Sequence, residues 1–557
     1  MRFMLFVLAL VACRSEKSEQ RARSPIAMDP PAAPGSLAPF VRATTDGVIA
    51  TWLETPASGA PRLRFARWSK NAWSEPVTIV ETSTLVASWA DVPTVVENRA
   101  GEVVASWLES AGEGHAYHAI VARSVDRGRT WTRVGALHDD RSATEHGFVS
   151  LIPDDRGARA IWLDGRATPG GGATTLRSAI ITTTAVEGEE IVDERVCDCC
   201  STAMAAGLRG PIVAYRDRSQ EELRDIAIAL RDGERWSTAP RIRPDGWTIA
   251  GCPVNGPALD ARGDHAVVAW YTYAGSQHRV KAAFSADGGE TFSEPVVVDE
   301  PTGARAPLGR VAAVVDRNGD AVVAWVTSTR EEGELLLRRV SVSGARGAEI
   351  SIASIRIGRD AGFPELAISG DELVVIWTEP GEASRIRAAR VRLADVPSSP
   401  APTVPQAPAE VAAGKVGDAM PALEATTLDG ARTHVPVRGN PTLVNVWATW
   451  CEPCRQELVD LGALHTRFSS RGLGITAVSV DRERNTSEVA EFAKRRKLPF
   501  EVVHDPLDRT SSALGIGPLP VTVLVGREGR IRWRSDGAIR SDDPTLIEAI
   551  ELALQPQ

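Results

Sequence analysis

Along most of the chain the apolar residues come in short runs and not at the three-to-four spacing of a helix. Val-Val-Ala-Ser-Trp ends at Trp107 and Val-Val-Ala-Trp at Trp270, and similar runs end at Trp52, Trp162, Tyr215, Trp325 and Trp377. Successive intervals between these aromatics are 55, 55, 53, 55, 55 and 52 residues. Inside each unit a small-residue strand meets a glycine turn (Gly47, Gly101, Gly157, Gly210, Gly263, Gly319, Gly370) before the strand that carries the aromatic. An Arg-rich alternating strand follows, as at Leu63-Arg64-Phe65-Ala66-Arg67, and Trp-Ser closes the unit, as at Trp73-Ser74 and Trp236-Ser237. Four strands per repeat predict an all-β propeller over residues 36–395. Seven copies favour seven blades. The last copy lacks a clear fourth strand, which leaves six open if the end units share a blade. The repeated aromatic is expected to pack blade against blade.

The pattern then changes. Residues 396–413 hold five Pro among Ser, Ala and Val and read as a semi-rigid linker. Beyond it Pro441-Thr442-Leu443-Val444-Asn445-Val446-Trp447-Ala448 reads as a buried strand, running into Thr449-Trp450-Cys451-Glu452-Pro453-Cys454 and a helical stretch. Cys-x-x-Cys between a strand and a helix predicts an α/β thioredoxin-like redox fold over 414–557. At the helix start, free N–H groups and the helix dipole stabilise a Cys451 thiolate. Cys454, one turn on, can resolve a mixed disulfide, and Pro453 suits the first helical turn. A zinc site would need a second ligand pair nearby, and His465 and His504 are too scattered to supply one.

This segment resembles the TlpA/ResA-like thioredoxin family over about residues 414–555. Val416-Gly417-Asp418, Pro421 and Leu428-Asp429-Gly430 look like that family's N-terminal hairpin, and Ile475–Asp481 like its next core strand. Leu519-Pro520-Val521-Thr522 stands where the family has its cis-proline loop, with Gly517-Pro518 before it as a departure from the pattern. The resemblance implies that Pro520 lies beside the dithiol and offers backbone pairing to a substrate strand. It implies that Trp450, Pro453 and Glu457 support the redox site, Glu457 by tuning the thiols, with a plain surface glutamate as the alternative. It further implies a reducing role on protein disulfides, an upstream thiol reductant and no required cofactor.

Composition narrows the partners. The chain has 557 residues with a net charge of −9, which argues against a nucleic-acid-binding surface. Fifteen Trp against 11 Phe and 4 Tyr fit a repeated use of Trp. Seven Cys are too few for a disulfide-dense scaffold. Arg2 precedes an apolar run, Phe3 to Ala12, too short to span a bilayer. Leu10-Val11-Ala12-Cys13 resembles a bacterial lipobox. That resemblance implies a signal peptide over 1–12, lipid on Cys13, a tether over 13–35, and a membrane-anchored chain in the cell envelope facing the periplasm or exterior.

Two turns resemble the Asp-box of sialidase-like (BNR) propellers: Ser124, Asp126, Gly128, Thr130 and Trp131, and Ser285, Asp287, Gly289, Thr291 and Phe292. The motif marks a propeller hairpin and says nothing of chemistry. A sialidase needs an arginine triad and a late Tyr nucleophile. No Tyr follows Tyr273, and Pro39-Phe40-Val41-Arg42-Ala43 stands where Arg-Ile-Pro is expected, so a glycosidase is the weakest reading.

Four cysteines interrupt the repeat. Cys197 lies 18 residues before Tyr215, and Cys252 lies 18 before Trp270, so they occupy equivalent places on adjacent blades. Sixteen residues before the aromatic stand Cys199, His146 and Asp91 in neighbouring units. One mouth of the channel is therefore expected to gather Cys197, Cys199, Cys200 and Cys252, with His146, Asp91 and Asn255 beside them. Structural disulfides, a Cu or Zn site and reversible thiol chemistry all remain open for this group. The expectation is an envelope-anchored thiol–disulfide oxidoreductase whose propeller binds a ligand or partner. The alternative is a metal- or ligand-binding propeller whose thiols the thioredoxin-like domain maintains.

Overall fold

A computed structural model describes residues 24–112, 116–302, 305–328, 333–356, 358–381, 383–398, 414–435, 439–481, 486–506, 508–516 and 518–555. Cys13 and the apolar leader lie outside the described residues, as do most of the linker and Gly517.

Seven antiparallel sheets form a seven-bladed propeller. The second strand of a blade is covered by neighbours on both faces, so it reads as an unbroken apolar run: Gly47–Glu54 and Gly157–Asp164 are buried throughout. Outer strands such as Val186–Asp193 mix buried and exposed positions. The repeat aromatics are all buried. Trp52 packs with Ile376 of the last blade, and Trp162 with Val104 and Leu108 of the second. Buried indole N–H groups need acceptors. Trp52 donates to Glu54 at 3.0 Å, Trp162 to Asp164 at 3.0 Å and Trp325 to Asp299 at 2.6 Å, while Tyr215 donates to Asp193 at 2.6 Å.

The fourth strand missing from the last repeat comes from the other end of the chain. Ile26–Ala27 pairs antiparallel with Arg390 and Ala389, closing the ring. The expected tether over 13–35 is thereby corrected: its described part, from residue 24, belongs to the propeller. Val396, placed at the start of the linker, is likewise buried against the last two blades.

The two turns that resemble an Asp-box are each closed by their own side chains. Asp126 accepts from the Thr130 N–H at 2.8 Å and hydroxyl at 2.7 Å, Gly128 N–H donates to Ser124 Oγ at 2.7 Å, and Trp131 Nε1 donates to the Gly128 carbonyl at 3.1 Å. Gly128 has φ +89°, and a Cβ there would lie 2.1 Å from the Phe65 ring. In the second turn Asp287 accepts from the Thr291 N–H at 3.0 Å, and Gly289 N–H donates to Ser285 Oγ at 2.8 Å. Phe292 packs with the core of the fourth and fifth blades.

The C-terminal sheet runs Arg432–Val435, Leu423–Thr427, Glu501–His504, Gly474–Ser479, Thr442–Trp447, Val521–Val525, Ile531–Asp536. The strands at 442–447, 474–479 and 501–504 are mutually parallel, and the remainder are antiparallel. Helices Glu452–Phe468, Thr486–Arg496, Arg509–Leu514 and Pro544–Leu554 complete the thioredoxin-like domain. No helix among the described residues is long and apolar enough to cross a membrane.

Candidate active site and propeller mouth

The dithiol sits where the central strand Thr442–Trp447 turns into helix Glu452–Phe468. Cys451 is the N-cap, its sulfur accepting from the Cys454 N–H at 3.3 Å, with Pro453 in the first turn. Cys451 and Cys454 are bonded to each other, and both are fully buried. The turn before them is held by Asp481, which accepts from the Thr449 N–H at 2.9 Å and hydroxyl at 2.6 Å.

Glu457, one turn beyond Cys454, is buried and not a surface glutamate. It accepts from Asn445 Nδ2 at 3.0 Å, from Thr522 Oγ1 at 2.7 Å and from the Ile539 N–H at 3.4 Å. Burial outweighs those donors and pushes its carboxyl up to about 8. A protonated acid therefore stands beside the dithiol at neutral pH. Asn445, a buried amide in the middle of the central strand, gave a sequence signal for this network that the reading of a buried strand passed over.

At the facing propeller mouth, Cys197, Cys199 and Cys200 place their sulfurs within 4.8 Å of one another, and the Cys252 sulfur lies within 4.8 Å of that of Cys199. Equal offsets from the repeat aromatic thus did bring the four cysteines together. All four are unbonded. Fully buried Arg224 points a guanidinium nitrogen at the Cys197 sulfur, 3.4 Å away. Burial disfavours a Cys197 thiolate, but hydrogen bonds from Cys199 and Cys200 and the Arg224 charge together hold its pKa well below the ordinary value. Burial, and the neighbouring sulfurs with it, pushes Cys199 up. Arg224, absent from the sequence expectation, is the cation of this group.

Asp91 and Asn255 act as staples between blades. Asp91 accepts from the Phe148 N–H at 2.6 Å and Asn255 from the Arg310 N–H at 2.8 Å, each on the next blade. Phe148 and Arg310 share a left-handed backbone, φ +53° and +54°, so the two staples cap the same bulge. His146 departs from expectation. It does not join the cysteines but stacks on His138, ring centroids 3.6 Å apart, and its Nδ1 faces the Tyr117 carbonyl at 3.1 Å. At the bulge that opens its strand, the chain turns this side chain away from the thiols.

The two sites meet. Cys252 N–H donates to the Leu519 carbonyl at 2.7 Å and Leu519 N–H to the Cys252 carbonyl at 3.3 Å. Leu519 precedes Pro520 through a cis peptide bond. Ala538 N–H adds a bond to the Ala250 carbonyl at 3.0 Å. Trp450 meets Trp89 of the propeller edge-on, centroids 6.3 Å apart. A cavity of about 550 Å³ remains between the domains, lined by Cys199, Cys252, Trp450 and Arg455 together with Asp91, Glu145 and Asp198. Burial pushes Asp91 up to about 7 and Glu145 up to about 8. From sequence Leu519 was named only as part of the cis-proline loop, without a contact to the propeller, and Arg455 was given no role.

A strand-to-helix dithiol over a buried acid, next to a proline loop, defines a thioredoxin-like redox enzyme. Residues 416–534 match the AhpC/TSA family. The thiol-disulfide oxidoreductase ResA of Geobacillus thermodenitrificans is 33% identical over 136 residues, 24% of this chain and 76% of the relative. Its counterpart from Geobacillus kaustophilus is 32% identical over 135 residues, again 24% and 76%. Among solved structures, StoA from Bacillus subtilis is 25% identical, covering 23% of this chain and 96% of that one, with a TM-score of 0.21. Through its C-terminal domain the chain belongs to the ResA family of thiol-disulfide oxidoreductases.

Proposed function

We propose that the protein is an envelope thiol–disulfide oxidoreductase that works in the reducing direction through the Cys451-Glu452-Pro453-Cys454 dithiol. Cys451 thiolate attacks one sulfur of a target disulfide, and the other sulfur leaves as a thiolate. Cys454 then attacks the Cys451 sulfur, releasing the reduced target and forming the Cys451–Cys454 bond. An upstream thiol reductant restores the dithiol, and no cofactor takes part. Lipid on Cys13 would hold the chain at the membrane, and the propeller serves as its partner-binding module. The observation that carries the reading is the dithiol at the helix start beside Leu519, whose backbone pairs with a segment that presents a cysteine, Cys252.

A second reading gives the propeller cysteines a soft ion, Cu(I) or Zn(II), with the dithiol keeping those thiols reduced. What favours it is the approach of three sulfurs to within 4.8 Å of one another. The first reading is tested by turnover. With excess thiol reductant, the full chain should reduce a small peptide disulfide faster than the reductant alone. No acceleration by a chain whose Cys451 and Cys454 are shown to be free thiols overturns the proposal.

A further inference from the structure

We propose that the propeller is the in-chain redox partner of the dithiol, and that Cys252 is the residue that exchanges with Cys451. This rests on the oxidoreductase reading and names its partner. Segment Ala250–Cys252 lies against the thioredoxin-like domain, bonded through backbone to Leu519 as an isolated antiparallel bridge and to Ala538. Backbone pairing of this kind supplies affinity without selecting side chains, while the adjoining residue sets chemistry. Here that residue is a cysteine, 2% exposed, in one buried cluster with Cys451 and Cys454. Gly251 fits the arrangement: a Cβ on it would lie 2.6 Å from the Leu519 carbonyl oxygen.

The exchange balances. Begin with a Cys199–Cys252 disulfide and a reduced dithiol. Cys451 thiolate attacks the Cys252 sulfur, a Cys451–Cys252 bond forms, and Cys199 leaves as a thiolate that takes up a proton. Cys454 loses its proton and attacks the Cys451 sulfur, the Cys451–Cys454 bond forms, and Cys252 leaves as a thiolate. Two electrons pass from the dithiol to the propeller pair, and the thiol reductant replaces them.

Cys454→Ser stalls the second step. The full-length variant, oxidised with glutathione disulfide and digested without reductant, should yield a Cys451–Cys252 cross-link within single chains. Adding Cys252→Ser should remove the link, and adding Gly251→Val should lower it at least tenfold while raising reduction of insulin by the otherwise unmodified chain. Cys451 found only as a glutathione adduct, with Cys252 free and peptide-disulfide turnover by the native chain intact, overturns this partnership and leaves the oxidoreductase reading standing. Loss of that turnover overturns the reading itself.

A different observation carries a second site. We infer that His118, His138 and His146 with Asp140 form a divalent-metal site between the second and third blades. One ring nitrogen from each histidine lies within 4.8 Å of the others. His138 Nδ1 faces the Asp140 carbonyl and His146 Nδ1 the Tyr117 carbonyl, both at 3.1 Å. A carbonyl only accepts, so each Nδ1 carries the proton and each Nε2 presents a lone pair. That is the outer hydrogen bond by which metal-binding histidines are oriented. Both Nε2 atoms, and Nδ1 of His118, are buried without a hydrogen-bond partner among the described residues, and His146 and His138 are 0% and 7% exposed. Asp140 Oδ2 stands 3.1 Å from His146 Nε2, close but not aligned as a hydrogen bond. Three imidazoles and a carboxylate suit Zn(II). Full-length protein incubated with Zn(II) and dialysed should retain one more equivalent than the His138→Gln/His146→Gln variant. Equal retention by the two proteins, at any level, overturns the site.

Discussion

Cys451→Ser should bring reduction of a peptide disulfide down to the rate of the thiol reductant alone. Cys454→Ser should leave Cys451 held in a mixed disulfide, with the peptide or with Cys252. The asymmetry follows from position. Cys451 caps the helix, where its sulfur already accepts from the Cys454 N–H, so the charge of a thiolate there meets donors and the positive end of the helix dipole. Cys454 lies inside the first turn, fully buried and bonded to the Cys451 sulfur that it attacks in the second step. A serine at 451 has no accessible anion near neutral pH and forms no disulfide. A serine at 454 leaves the first attack intact and removes the second. Mass spectrometry of the adduct and turnover in the same preparation check both halves. Turnover retained in Cys451→Ser, or an adduct found on Cys454 in that variant, would assign the attack to the wrong sulfur.

The propeller was legible because its aromatic recurs at a near-constant interval and the strand carrying it is apolar on both faces. Its closure was not. Ile26–Ala27 are two residues in a Pro-rich stretch, and their partners lie at the far end of the propeller, so no local pattern marks them as a strand. The cysteine group was legible by register, since equal offsets on adjacent blades place side chains at one height. The same register misplaced His146, because a bulge at the start of its strand changes which way it faces. The dithiol was plain from Cys-x-x-Cys at a strand-to-helix junction. Docking of Cys252 on Leu519 was not, since the bonds are backbone to backbone and leave no mark on residue type. The histidine site had a weak signal: four of the nine histidines fall between His115 and His146, at spacings that fit no fixed motif.

Glu457→Gln should remove a stability loss that the native C-terminal domain suffers as pH rises. An exposed glutamate in the unfolded chain titrates near 4.5, while burial holds the folded one up to about 8. Between those values the folded state keeps a proton that the unfolded state has given up. Raising pH through that window therefore favours unfolding, by about 1.4 kcal/mol per pH unit for one such group. The slope vanishes below the unfolded value and again above the folded one. Glutamine keeps the volume, carries no charge at either end of the window and should leave the slope without this contribution. Asp91 and Glu145, raised for the same reason, lie in the propeller, so the measurement has to report on the C-terminal segment alone. A brief protease pulse across a urea series, with survival of that segment read by mass spectrometry, does so. The native chain should lose urea midpoint steadily from pH 5 to pH 7.5, while the variant loses less over the same range, keeping the part due to Glu488 on helix Thr486–Arg496, which burial also raises. Parallel curves for the two proteins would mean that Glu457 is already ionised in the folded state. The same acid should shape catalysis: peptide-disulfide turnover by the native chain should show an inflection near pH 8 that the variant lacks, because above it a buried carboxylate one turn from Cys454 opposes the resolving thiolate.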